Sequence, residues 1–77
     1  MNIATAILNL AAERGKGKTI CPSEVARILF PEDWRSFMED IRNTAFELRD
    51  AGKIIITQKG NEIAGNEVKG PIRIEIV

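Results

Sequence analysis

The sequence predicts an α+β domain with three helices followed by a C-terminal β-hairpin. Three observations predict it. Apolar residues recur at helical spacing up to about residue 51. The pattern then switches to runs of isoleucine that suit strands, and glycine and proline mark every boundary between these segments. At 77 residues the chain has room for one domain, residues 1–77, and a core near the lower limit of what folds alone.

Ile3, Ile7, Leu10 and Ala11 lie at i, i+4, i+7 and i+8 and define the first helix. Asn2 suits its N-cap and Gly15 its C-terminal stop. Arg14 to Lys18 form a basic loop. Thr19-Ile20-Cys21 is a short β-prone piece able to add a third strand to the hairpin. Pro22 fits the first turn of a second helix, where a missing N–H costs nothing, and Glu24 favours the positive helix end. Val25, Ile28 and Leu29 form its apolar stripe. Pro31 stops it, and Asp33 suits the N-cap of a third helix.

Residues 34–51 form the longest periodic segment. Trp34, Phe37, Met38, Ile41, Ala45 and Leu48 gather on one side of a helical wheel as core. Phe46 falls outside that stripe, so an exposed aromatic is expected there. Ala51-Gly52-Lys53 reads as the stop. Residues 53–58 form a β-branched strand, and Ile72, Ile74 and Ile76 alternate with Arg73 and Glu75 in a second strand with one wet face. The simplest connection is a hairpin with its tip near Gly65-Asn66. This order is that of a winged helix-turn-helix. The competing arrangement keeps the same elements with the hairpin on another side of the helices.

The string Gly17 to Arg27 (GKTICPSEVAR), with Trp34-Arg35, Gln58-Lys59-Gly60 and Gly70-Pro71-Ile72-Arg73, resembles a small bacterial family known as domain-of-unknown-function family 3253. The resemblance runs over nearly the whole chain and is weakest from Asn61 to Val68. It implies a winged-helix-like domain with no assigned activity.

Composition narrows the function classes. Eleven Lys and Arg balance eleven Asp and Glu, there is no His or Tyr, and Cys21 is the one cysteine. A His-based triad, a Cys–His pair, a Cys/His metal site and an internal disulfide are therefore excluded. No enzyme activity, cofactor or metal is expected. No apolar run approaches the length needed to cross a bilayer, and no basic secretory start precedes Glu13-Arg14, so a cytoplasmic protein without a membrane partner is expected. Gly17-Lys18-Thr19 is not a phosphate-binding loop, because Ala12 stands where the motif needs glycine and a helix precedes it. Cys21 reads as a small, mostly structural residue rather than a reactive thiol.

The expected partner is double-stranded DNA. Arg35, Arg42 and Arg49 recur every seven residues along one edge of the long helix, with Asn43 nearby. Arg and Asn are the side chains that read guanine and adenine edges when such a helix enters the major groove. Lys59 and Lys69 in the hairpin are expected to contact the phosphate backbone, in a region that also carries Lys53 and Arg73 against Glu62, Glu67 and Glu75. Against this reading, the helix carries four acids, Glu39, Asp40, Glu47 and Asp50, and i, i+3 or i+4 ion pairs such as Arg35–Glu39 would occupy its arginines. The alternative is a protein–protein interaction module that uses the winged-helix surface without nucleic acid. A homodimer, through the N-terminal helix or the face around Phe46, would double the contacts in either case. No small-molecule substrate is indicated.

Overall fold

The computed structural model describes residues 2–66 and 68–77. Helix α1 spans Ile3–Arg14. The Asn2 side chain caps it by accepting the Thr5 N–H at 3.1 Å, and Gly15 ends it at φ +96°. Ile7 and Ala11 are fully inside. Ile20 then meets Ile74 in a two-way bridge, with N–H to carbonyl distances of 2.8 Å in both directions. The β-prone piece therefore joins the sheet at one residue.

Helix α2 spans Pro22–Leu29, with Pro22 at its start. It buries Val25 and Ala26, whereas Ile28 is 63% exposed. The expected stripe of Val25, Ile28 and Leu29 is thus rotated: in so short a helix the small Ala26 permits close approach, and Ile28 is turned outward. Phe30 and Phe37 stack face to face across the turn, with ring centres 3.7 Å apart.

The segment expected as one long helix begins instead with a 3₁₀ turn, Trp34–Phe37, and only then becomes helix α3, Met38–Asp50. Asp33 fastens this turn, accepting the Ser36 hydroxyl at 2.8 Å on its carboxylate and the Ser36 N–H at 3.1 Å on its carbonyl. At the far end, Lys53 N–H reaches Leu48 O at 3.0 Å and Gly52 N–H reaches Arg49 O at 2.9 Å, with Gly52 at φ +78°. That pair of bonds satisfies the last carbonyls and turns the chain into the sheet.

The sheet has three antiparallel strands, β1 (Ile54–Gln58), β2 (Asn61–Glu62) and β3 (Arg73–Ile76), in the order β2-β1-β3. Ile54 faces Ile76 and Ile56 faces Ile74, which puts one face on the helices. Ile55, Thr57, Arg73 and Glu75 share the other. The three helices and this sheet form an α+β fold compatible with a winged-helix layout. The hairpin tip differs from expectation. Lys59 and Gly60 both have positive φ, 53° and 82°, and make a two-residue turn whose twist matches the flanking strands. The chain therefore reverses immediately after Gln58. Gly65 and Asn66 lie instead in the segment that returns to β3.

That returning segment covers the side of α3 that carries Phe46. Phe46 is only 6% exposed and belongs to the core cluster, against which Ile63 and Val68 also pack. The expected exposed aromatic is corrected for this reason: a long connection folds over the helix and brings its own apolar residues with it.

Candidate nucleic-acid interface

The same connection engages two of the three stripe arginines. Arg42 is half-buried and donates from Nη1 to the Gly70 carbonyl at 2.9 Å and from Nη2 to the Val68 carbonyl at 2.8 Å. Arg49 donates to the Gly65 carbonyl at 2.9 Å and to the Asn66 side chain. It pairs with Asp50 at 2.9 Å, and its side chain is 10% exposed. Its guanidinium also lies 5.2 Å from the centre of the Phe46 ring. A guanidinium fork suits two carbonyl oxygens as it suits two phosphate oxygens, so these donors are already in use.

Arg35 is exposed and stacks over Trp34 at 4.5 Å. The expected Arg35–Glu39 pair is absent among the described residues, where the ion pairs are Arg14–Glu24 and Arg49–Asp50. Asn43 is exposed. It shares its side of α3 with Glu39, Glu47 and Asp50, which lie at i, i+4, i+8 and i+11 along one line. The open face of α3 is therefore acidic.

Positive charge collects elsewhere. Gln58, Lys59, Lys69, Gly70, Pro71 and Arg73 line a surface groove of about 520 Å³ beside the Lys59-Gly60 turn. Gly70 and Pro71 also belong to a second groove, of about 400 Å³, that runs on past Arg42 and Met38 to Cys21 and Ser23 at the start of α2. The two grooves adjoin at Gly70 and Pro71 and are together called the trough. Among the described residues no carboxylate lines it. Glu67, expected among the hairpin acids, lies outside the described residues.

The trough is held in shape by its own hydrogen bonds. Gln58 donates to the Lys69 carbonyl at 2.6 Å and to the Pro71 carbonyl at 3.2 Å. Gly70, at φ +88°, brings the backbone to where a Cβ would sit 3.5 Å from the Gln58 amide. Arg73 donates to the Thr19 hydroxyl at 2.8 Å, which ties β3 to the basic loop. Lys59 and Lys69 are exposed, and neither forms an ion pair among the described residues.

At the trough's α2 end, Glu24 organises the backbone. It accepts the Cys21 N–H at 2.7 Å and the Arg14 guanidinium at 2.6 Å, so the helix N-terminus is capped and tied to the end of α1. The Arg14 hydrogen bond holds the Glu24 carboxyl below the usual carboxylate range. Partial burial opposes this, and the Cys21 N–H and the Arg14 charge reinforce it. The same contact raises the Arg14 guanidinium. The Cys21 sulfur accepts from the Ser23 hydroxyl at 3.2 Å. Among the described residues no group of His, Cys, Asp and Glu is placed to hold a metal, and no helix is long and apolar enough to cross a membrane.

Of the six residues singled out by sequence, Lys59 and Lys69 are brought together at one groove. Arg42 and Arg49 are joined by the loop they hold. Arg35 and Asn43 stand apart from the Lys59/Lys69 groove. Gln58 and Arg73 were missing from the set. Their presence in the Gln58-Lys59-Gly60 and Gly70-Pro71-Ile72-Arg73 strings was the available signal.

A small α+β domain with a winged-helix-compatible layout and a basic trough at its wing is the class these features define. The chain belongs to the family described as "Protein of unknown function (DUF3253)", whose model matches residues 1–77 and so covers the entire chain. Comparison with curated proteins found no match.

Proposed function

We propose that this protein binds double-stranded DNA through the phosphate backbone, along the trough at the wing, as a non-enzymatic binding domain. The observation that carries the reading is the segregation of charge. Lys59, Lys69 and Arg73 line a groove free of carboxylates among the described residues, in a chain whose formal net charge is zero. A balanced total therefore hides one basic edge and one acidic helix face, and only the basic edge suits a polyanion.

The arginines of α3 support backbone contact more than base reading. Arg42 and Arg49 spend their donors on the 65–70 segment, and the acids beside Asn43 would face the phosphates if α3 entered a major groove. Contacts from Lys59, Lys69 and Arg73 position a duplex without reading its sequence. The test is titration of labelled duplexes of unrelated sequence at low and moderate salt. Binding is expected to be weak and similar across sequences, with a log–log salt slope of about −2.7 from the trough alone. Absence of binding at low salt overturns the reading.

A protein-interaction module is the second reading, favoured by one observation. Ile28 stands exposed beside an apolar groove between α1 and α2, floored by Ala6, Leu10 and Val25. Ile28→Gln should leave DNA binding unchanged under the first reading. Under the second it should abolish partner capture.

A further inference from the structure

The geometry points to a second phosphate-binding position at the turn between α2 and α3, built from Arg27 and Arg35 on the Trp34 ring. It rests on the proposed DNA binding and extends the path of the strand. The Arg27 guanidinium lies 4.4 Å from the indole centre and that of Arg35 lies 4.5 Å from it. Both arginines are exposed, and among the described residues neither forms an ion pair or a side-chain hydrogen bond. They differ in this from Arg14, Arg42 and Arg49, whose guanidinium groups are held by the fold, and from Arg73, which donates to Thr19 from Nε and Nη2 and keeps Nη1 for the groove.

The ring does two things for these cations. Stacking on an aromatic face fixes a guanidinium plane and leaves its N–H edge free, so less side-chain freedom is lost when an anion binds. It also keeps two like charges near one another. The platform itself is firm, because the Phe30–Phe37 stack and the Asp33–Ser36 bonds lock the turn that carries Trp34.

Position along the fold names the ligand. Arg27 lies four residues after Ser23 on α2, and Arg35 lies three residues before Met38 through a 3₁₀ turn, where i and i+3 are aligned. Ser23 and Met38 both line the trough. Each guanidinium thus lies one helical step from a residue that lines the trough, and Trp34 and Arg35 share a separate surface groove with Glu32 and Asp33. A ligand that occupies both the trough and this platform is an extended chain of repeated anions. A nucleic-acid strand has that form, with phosphates following at about 3.4 Å of rise.

Trp34 is the only tryptophan in the chain, so its fluorescence reads this position and no other. Wild-type protein is titrated with a labelled duplex while label anisotropy and Trp34 emission are followed together. The expected result is a common midpoint. The R27Q/R35Q variant, checked for native circular dichroism, should bind about five- to tenfold more weakly, with the salt slope falling from about −4.5 to about −2.7. Anisotropy that responds while Trp34 stays silent, with R27Q/R35Q unchanged, overturns the twin position and leaves the trough standing. A Trp34 response that persists in K59N/K69Q supports the twin position even where the trough fails. No response of either kind in the wild type overturns both. A peptide of Asp and Glu that changes Trp34 emission at lower concentration than the duplex assigns the platform to an acidic protein and overturns the nucleic-acid ligand.

Discussion

Arg49 lies over Phe46, its guanidinium carbon 5.2 Å from the ring centre, and the pair turns what looked like an open helix edge into the floor of a loop. The ring is buried beneath that loop, and the guanidinium holds the Gly65 carbonyl above it. Two residues three apart on α3 thus decide how much of the helix is left for a partner.

Phe46→Ala is therefore expected to behave as a core truncation. It should cost about 3–5 kcal/mol, against less than about 0.5 kcal/mol for Ile28→Ala on the surface. Urea unfolding of the two variants gives the comparison. Equal midpoints would mean that the loop does not cover the ring.

Arg49→Ala should release the Gly65 end of the connection at a cost of about 1.5–3 kcal/mol, the range for hydrogen bonds made by a charged group. Hydrogen exchange checks this locally. Amides from residue 63 to residue 70 should exchange faster, while those of Ile41 and Ala45 in α3 stay protected. Uniform acceleration across α3 would show that the arginine supports the helix rather than the loop.

The order of elements was legible because it depends on local rules: Asn2 and Gly15 bound α1, Pro22 opens α2, and Ile54, Ile56 and Ile74 set the sheet face. The wing was not, because two turn signals compete. Gly65-Asn66 looks like a tip, yet Lys59-Gly60 takes the tight turn, since a two-residue loop with positive φ at both positions joins β1 to β2 directly. Once β2 ends at Glu62, the remaining chain must cross back to β3, and that crossing covers Phe46, Arg42 and Arg49. A helical wheel assigns burial from the helix's own pattern and has no means of showing a distant segment laid over one edge. Lys59 and Lys69 were legible as a pair because both flank wing glycines. Arg27 on Trp34 was not, because the contact crosses a turn of irregular backbone.

The turn at the wing gives a third prediction. Gly60→Ala places a Cβ at φ +82° and should cost about 1–2 kcal/mol. Lys59 already sits at φ +53°, so Lys59→Asn should keep or slightly raise stability, because Asn tolerates that region better. Thermal or urea denaturation checks both. A destabilised K59N would mean that the lysine side chain, and not the backbone, holds the turn.

Acid should weaken the link between α1 and α2. The Glu24 carboxyl titrates lower in the folded protein than in the unfolded chain, so its contribution is present above the unfolded value, near pH 4.5, and is lost as pH falls through the folded one. Arg14 stays charged throughout this range. Urea unfolding of wild type and Glu24→Gln should differ at about pH 7 and converge as the pH falls through the folded value. A difference that stays constant with pH would place the effect in packing instead of charge.

The most direct measurement compares wild type with K59N/K69Q on one labelled duplex across salt from about 50 to about 200 mM. The wild type should bind with a linear log–log dependence, and removing two phosphate contacts should make its slope shallower by about 1.8. Identical slopes in the two proteins, or a wild type that leaves the duplex free at the lowest salt, would contradict backbone recognition by the wing.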